Sequence, residues 1–210
     1  MKVESFSIGS SHYDNEDRLV IQEMGESDIV VILADGMGGL SLGDMAADVV
    51  TKTVAEYITK NYQGVDEQRV LYDALVHADK ELRNVSIANK SNMGAAVAVA
   101  IVHDYHLYCT WQGNVRIYTC HDKELSLVTK DHIAQIGYGR TALTRCIKGA
   151  GLRDDVPFVD CTLNDGDATI LCTDGLYNIA EKHLADYTVD ELARIGFLDD
   201  DASLIKITLV

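Results

Sequence analysis

Two aspartates share a local pattern that could place a carboxylate rigidly at the end of a strand. Residues 29–36 read IVVILADG and residues 168–175 read ATILCTDG, so Asp35 and Asp174 each follow an apolar run and precede a glycine. A buried strand would fix the carboxylate, and the glycine would let backbone approach whatever it holds. Asp-Gly is also a common turn dipeptide, which would account for either one alone. Taken together, the two Asp-Gly pairs support a functional site as strongly as they support two ordinary turns.

Further acidic residues flank other predicted strands. Glu16 and Asp17 precede one strand, and three aspartates at residues 199–201 precede the last. Mg²⁺ and Mn²⁺ prefer oxygen ligands, and one carboxylate can bridge two ions. Two ions about 3.5–4 Å apart could activate a water for in-line attack on phosphorus. The alternative is a solvated acidic loop at each place, which is the favoured interpretation for residues 199–201 taken alone.

Other common catalytic patterns are absent from the sequence. The glycine-rich residues 36–39 (GMGG) lack the Gly-Lys-Ser/Thr ending of a phosphate-binding loop. The seven histidines show no zinc spacing, and no Gly-x-Ser-x-Gly motif occurs. Cys172 lacks the Cys-x5-Arg loop of cysteine phosphatases, and the five scattered cysteines predict buried reduced thiols.

The elements that must position the acids are predicted from hydrophobic periodicity. Two long helices are predicted at residues 42–61, with Ser41 as N-cap, and at 66–84, and a short one at about 189–195. Strands are predicted at residues 18–24, 29–33, 95–102, 106–111, 116–120, 124–129, 168–172 and 203–210. Neighbouring strands joined by short turns favour antiparallel sheets over a doubly wound parallel sheet.

Composition narrows the class of protein. The 210 residues fit one domain, and the formal net charge of -15 makes nucleic acid a poor partner. The N-terminus carries no apolar signal core, and no uncharged stretch reaches membrane-spanning length. We therefore expect a cytoplasmic, monomeric protein that contacts neither membrane nor nucleic acid.

Taken in order, the acidic and glycine motifs resemble those of the metal-dependent serine/threonine protein phosphatases of type 2C, in their compact bacterial form. One such motif is a weak signal, but the ordered series spans nearly the whole chain. The matching segments are residues 15–17 (NED), 35–39 (DGMGG), 43–47 (GDMAA), 93–96 (MGAA), 113–116 (GNVR), 129–132 (TKDH), 143–145 (LTR), 173–175 (TDG) and 200–203 (DDAS).

The resemblance implies an α+β fold, a four-layer α-β-β-α sandwich of two antiparallel sheets flanked by helices, as one domain over residues 1–210. It also implies two Mn²⁺ or Mg²⁺ ions, both bridged by Asp35, which holds the nucleophilic water. Asp17 would support the site through water. The implied metal ligands are Glu16, Asp35, the backbone carbonyl of Gly36, Asp174 and Asp200.

The implied reaction is direct attack of the activated water on the phosphorus of phosphoserine or phosphothreonine in proteins. The substrate would be a phosphoprotein in a signalling system, with the enzyme opposing a serine/threonine kinase. Two alternatives stay open: a weakly active or inactive binding or regulatory module with the same fold, and a phosphatase that acts on a non-protein phosphate ester.

Three positions depart from the family pattern. His12 occupies the place of the arginine that grips phosphate; a protonated histidine can donate to phosphate, but without a bidentate clamp. Asn114 occupies the place of an aspartate linked to a third, weaker metal, and a neutral amide is a poorer cation ligand. Residues 133–143 replace a much longer flap, which would reduce substrate contacts.

Overall fold

The computed structural model describes residues 1–12, 14–25, 28–37, 42–137, 140–153, 155–196 and 199–210. The strands are β1 (Lys2–Ile8), β2 (Asp17–Glu23), β3 (Ile29–Gly36), β4 (Ala95–His103), β5 (His106–Gln112), β6 (Arg116–His121), β7 (Glu124–Leu127), β8 (Ile133–Gly137), β9 (Arg140–Leu143), β10 (Val159–Thr162), β11 (Ala168–Cys172) and β12 (Ala202–Thr208). The helices are α1 (Gly43–Asn61), α2 (Glu67–Asn89), α3 (Asp174–Ala180) and α4 (Val189–Ala193), with a short helical turn at Glu181–His183.

The strands form two five-stranded antiparallel sheets and a separate hairpin. The first sheet has the order β1-β12-β11-β6-β7, and the second has the order β10-β5-β4-β3-β2. In the described part of the chain, β8 and β9 pair only with each other. The prediction of antiparallel rather than doubly wound parallel sheets is therefore confirmed.

The core shows why the molecule has four layers. Along β3, Val30 and Ile32 pack against the long helices, whereas Val31 and Leu33 pack against the first sheet. All four side chains are completely buried, and burial of each contributes roughly 1.5–3 kcal/mol. A third cluster packs α3 and α4 on the far face of the first sheet. The α-β-β-α sandwich is thus confirmed, and β3 is apolar along its length because both its faces are covered.

The structure corrects the sequence-based element bounds in several places. The second long helix continues to Asn89 instead of ending at residue 84, and it stops where Lys90 adopts a left-handed conformation with φ 51°. Its last turns are largely exposed, so they carry no apolar periodicity. The first long helix begins at Gly43, and the proposed N-cap Ser41 lies outside the described residues, as do Gly38 and Gly39.

Some elements were not predicted. They are the edge strand β1, the short strands β8, β9 and β10, and the helix α3. Strand β1 mixes polar and apolar residues at a sheet edge, and every residue of β8 is exposed, so neither carries a strong pattern. Helix α3 has only seven residues and begins with Asp-Gly, which resembles a turn. No helix in the described part of the chain is long and apolar enough to span a membrane.

Candidate active site

A cleft of about 540 Å³ lies where the two sheets meet, and acidic residues dominate its wall. Residues of the β8–β9 hairpin, including Ile133 and Leu143, form one side. No lysine, arginine or histidine among the described residues lines this cleft. The carboxylates that line it are those of Glu16, Asp35, Asp174, Asp199, Asp200 and Asp201.

The second sheet supplies one half of the site. Asp35 lies near the end of β3, directly opposite Asp17 in the register of β2 and β3. The backbone N–H of Gly36 donates to the carbonyl oxygen of Glu16 at 3.2 Å. A Cβ atom on Gly36 would lie 2.4 Å from the carbonyl oxygen of Gly43 and 2.9 Å from the Glu16 Cβ. Only glycine therefore lets the start of α1 and the Glu16 segment close around the end of β3.

The first sheet supplies the other half. Asp174 is the first residue of α3, directly after β11 and the fully buried Thr173. The Thr173 hydroxyl donates to Asp17 Oδ2 at 2.9 Å and accepts from the Ser203 N–H at 3.0 Å. One hydroxyl group thus joins the two sheets directly behind the cleft, because Asp17 belongs to one sheet and Ser203 to the other.

Gly175 allows the residues before β12 to approach α3. A Cβ atom at this position would lie 2.1 Å from the carbonyl oxygen of Asp201 and 3.1 Å from the Asp200 Cβ. The absence of a side chain on Gly175 therefore brings Asp200 next to Asp174. The two Asp-Gly pairs work alike, since in each the glycine makes room for backbone carrying the next carboxylate.

Asp201 was not predicted as a site residue. Its carboxylate accepts hydrogen bonds from the backbone N–H of Ser10 at 2.7 Å and of Glu16 at 2.8 Å. The sequence showed only a run of three aspartates. The sequence does not indicate which of the three contacts the Glu16 backbone, because that contact joins residues 185 positions apart.

Burial and mutual repulsion disfavour the charged forms of the clustered acidic side chains. Burial, followed by the charges of Asp17 and Asp174, raises the pKa of Asp35 well above its ordinary value. Burial raises the pKa of Asp17 to about 8, and it also raises the pKa of Asp174. Burial and then the charge of Asp201 raise the pKa of Glu16. Burial also raises the pKa of Asp200, against a hydrogen bond from the Asp201 backbone that lowers it. Bound cations would relieve this repulsion.

Asn114 lines the cleft, and one polar atom of its side-chain amide has a hydrogen-bond partner whereas the other has none among the described residues. Its Nδ2 donates to Asp174 Oδ2 at 2.9 Å, and its backbone carbonyl accepts from the Tyr177 hydroxyl at 3.1 Å. Its Oδ1 is buried and has no hydrogen-bond partner in the described regions. A buried carbonyl oxygen without a partner costs free energy, so this atom is a candidate ligand for a cation or an ordered water.

His12 lies in an adjoining cavity. It lines this second space with Asp14 and Asp44, and among the described residues Glu16 is the one that both cavities share. The structure thus places all five predicted ligands and Asn114 on one cleft. Asp17 is buried opposite Asp35 in the sheet, and His12 lies in the adjoining cavity that Glu16 also lines.

The donor set fits a hard divalent cation. Carboxylates and carbonyl oxygens without a neighbouring positive charge are what Mg²⁺ and Mn²⁺ prefer. Over the described ranges, no three Asp, Glu, His or Cys side chains are arranged so that they could hold one ion as they stand. Mg²⁺ usually keeps several waters and binds through only one or two carboxylates, so this arrangement remains compatible with it.

Solved structures of two bacterial phosphatases share this fold. The serine/threonine phosphatase Stp1 of Staphylococcus aureus superposes with a TM-score of 0.86 at 18% identity, covering 100% of this chain and 95% of that one. The serine/threonine phosphatase PstP/Ppp of Mycobacterium tuberculosis gives 0.79 at 21% identity, with coverage of 99% and 98%. This chain thus shares its fold with these two proteins.

The sequence comparison identifies the family. The family model described as protein phosphatase 2C matches residues 8–199, and the chain belongs to this family. A putative protein phosphatase of Mycoplasma genitalium is 25% identical over 185 residues, covering 76% of this chain and 71% of the relative. The serine/threonine phosphatase stp of Listeria monocytogenes is 24% identical over 205 residues, with coverage of 83% and 77%. The family resemblance predicted from the sequence motifs is therefore confirmed.

Proposed function

We propose that residues 1–210 form one catalytic domain that hydrolyses phosphoserine and phosphothreonine in proteins. The observation that carries this proposal is the convergence of carboxylates from both sheets on one cleft, in a chain of the protein phosphatase 2C family. The named activity of the relatives, serine/threonine phosphatase, supports the choice of substrate. The partners are then phosphoproteins, supplied by a serine/threonine kinase, and we expect a cytoplasmic monomer.

The carboxylates would divide into two sets, with Asp35 contributing to both. Glu16 and the carbonyl of Gly36 would hold one Mn²⁺ or Mg²⁺ ion, and Asp174 and Asp200 would hold the other. Bound there, the ions supply an acidified water and positive charge for the phosphate. Asp17, held by the Thr173 hydroxyl, would orient the water network behind Asp35.

The chemistry of the cleft itself requires cations for activity. A phosphate carries negative charge, and the six carboxylates that line the cleft would repel it. Because no positively charged residue in the described part of the wall offsets them, substrate binding depends on ions that the carboxylates hold. Ile133 and Leu143 of the hairpin would limit access of bulk water.

A manganese-dependent assay tests this proposal. Turnover of a phosphothreonine peptide should require Mn²⁺ or Mg²⁺, and Asp35→Asn should reduce kcat/KM by more than about 100-fold. A folded protein with no metal-dependent turnover of any phosphate ester would instead indicate the binding module. Turnover of a chromogenic ester without turnover of phosphopeptides would indicate a non-protein substrate. The placement of His12 outside the acidic cleft is the observation that favours a slow enzyme.

A further inference from the structure

Another cleft, of about 640 Å³ and distinct from the cavity that His12 lines, lies beside the base of the β8–β9 hairpin and carries positively charged residues. Lys130, Arg145 and Arg153 line it together with His132, around a floor that includes Trp111. The whole chain has a formal net charge of -15, so three cations around one cavity are a local reversal of its charge. We refer to this cavity as the basic cleft.

The hairpin base joins the basic cleft to the acidic cleft. On β8, Ile133 lines the acidic cleft and the preceding His132 lines the basic cleft. On β9, Leu143 lines the acidic cleft and the following Thr144 lines the basic cleft. The Thr144 N–H donates to the His132 carbonyl at 2.8 Å and fixes this junction. A bound chain could therefore pass from one cleft to the other within a few residues.

Two of the three cations form no ion pair with a described residue, although Arg153 acts on the nearby Asp155 carboxylate through its charge. Arg145 donates to the backbone and side chain of Asp155, which also lines the cleft. Within the residues placed by the structure, neither Lys130 nor Arg153 forms an ion pair, and both are exposed. The remaining acid of the cleft, Asp131, is already engaged by Arg116.

Asp131 forms its ion pair with Arg116 and not with Lys130 or Arg153. The guanidinium of Arg116 donates to both carboxylate oxygens of Asp131, at 2.9 to 3.3 Å. The same guanidinium also lies over the ring of Tyr177, 3.8 Å from its centroid. Arg116 also pairs with Glu181 at 2.9 Å. The described lining of the basic cleft therefore carries three cations, Lys130, Arg145 and Arg153, against two aspartates.

Trp111 and His132 are held by hydrogen bonds and contact each other in the lining of the basic cleft. Trp111 is 5% exposed, its indole N–H donates to the Lys130 carbonyl at 2.9 Å, and its ring stacks on that of His132. His132 Nδ1 accepts from the Gly113 N–H at 3.1 Å. Burial and then the charge of Arg145 lower the pKa of His132.

We propose that the basic cleft binds carboxylate side chains of the phosphoprotein substrate near the phosphorylated residue. This inference rests on the proposed function, since it assigns the flanking sequence of the same substrate. Lys130 and Arg153 supply the attraction, and an extended peptide advances about 3.3 Å per residue, so the acidic residues lie within a few positions of the phosphate. The negative charge of the rest of the protein would repel an acidic substrate, so the basic cleft determines which part of the substrate can carry the acidic residues.

The test compares two phosphothreonine peptides that differ only in flanking Glu or Gln residues, two to five positions from the phosphothreonine. The wild-type protein should show a kcat/KM about threefold to tenfold higher for the Glu peptide at low salt. The double variant Lys130→Gln/Arg153→Gln should lose this ratio. The matched control Lys60→Gln/Lys80→Gln removes the same charge from exposed helix positions and should keep it. Half-molar salt should reduce the ratio in the wild type.

The outcomes separate the subsite from the proposed function. Equal rates for both peptides, or a ratio retained by the double variant while its thermal unfolding is unchanged, would overturn the basic-cleft proposal alone. Failure to hydrolyse either peptide with Mn²⁺ would overturn the proposed function. In that case, calorimetric binding of the two peptides to Asp35→Asn still decides the subsite, because equal affinities would refute it.

Discussion

One carboxylate oxygen of Asp201 accepts a hydrogen bond from the backbone N–H of Glu16 at 2.8 Å. The other accepts from the Ser10 N–H at 2.7 Å. Asp201 belongs to the segment that enters β12 in the first sheet, and Glu16 precedes β2 in the second. The position of a proposed metal ligand on one sheet is therefore fixed by a residue on the other.

Replacing Asp201 with alanine should lower both stability and metal affinity. The change removes the acceptor of two charge-assisted hydrogen bonds, which together contribute about 3–6 kcal/mol at most. We expect the free energy of unfolding in urea to fall by at least about 2 kcal/mol. Half-maximal activation should need about tenfold more Mn²⁺, because Glu16 is no longer held. Asp199→Ala is the control, since it removes one carboxylate from the same cleft. A similar loss in both variants would contradict this role of Asp201.

The metal-free protein should lose stability as the pH rises from about 5 to 8. Burial raises the pKa of Asp17 to about 8 and that of Asp35 well above its ordinary value. Between the unfolded and folded pKa values the folded state binds more protons, so its stabilisation is complete at low pH and is lost as the pH rises. Thermal unfolding in a chelator should show this slope, and Asp35→Asn should make it shallower. Saturating Mn²⁺ should reduce it as well. An unchanged slope in Asp35→Asn would contradict the assignment.

The sequence predicted the strand-end aspartates well because their signal is local. An apolar run followed by Asp-Gly places Asp35 and Asp174 without knowledge of the fold. The role of Asp201 depends on two distant backbone groups, and no local pattern separates it from its two neighbours. The basic cleft was missed for the same reason, since Lys130 and Arg153 lie far apart in the chain. The hairpin at residues 133–143 was missed because its exposed strands lack alternation.

Replacing Asn114 with aspartate should make the metal-free protein less stable and more responsive to manganese. Asn114 Nδ2 now donates to Asp174 Oδ2 at 2.9 Å, and a carboxylate there would face that oxygen with like charge. We expect a loss of about 1–3 kcal/mol in chelator at pH 8. Mn²⁺ should restore most of it, because the added carboxylate is a better cation ligand. The measurement is a thermal-shift titration with Asn114→Ala as the control. If Mn²⁺ stabilises both variants equally, position 114 does not contact a cation.

Replacing His12 with arginine should improve phosphopeptide turnover mainly through KM. The guanidinium can form two parallel charge-assisted hydrogen bonds to a phosphate, which the imidazole cannot. We expect KM to fall about threefold to tenfold with kcat changed less. His77→Arg adds the same charge on the exposed face of α2 and should leave KM unchanged. An unaltered KM in His12→Arg would show that the side chain does not reach the phosphate across Glu16.

Replacing Gly175 with alanine should separate the two aspartates of the first sheet. The new Cβ would lie 2.1 Å from the carbonyl oxygen of Asp201, so the segment before β12 must move away from α3. Because Asp200 lies in that segment, its carboxylate moves away from Asp174. We expect a destabilisation of about 1–3 kcal/mol and a Mn²⁺ affinity lower by about tenfold or more. Gly25→Ala is the control, since its Cβ would meet no atom of the described residues closer than 3.9 Å. Calorimetric Mn²⁺ binding checks the result, and wild-type affinity in Gly175→Ala would show that Asp174 and Asp200 do not share an ion.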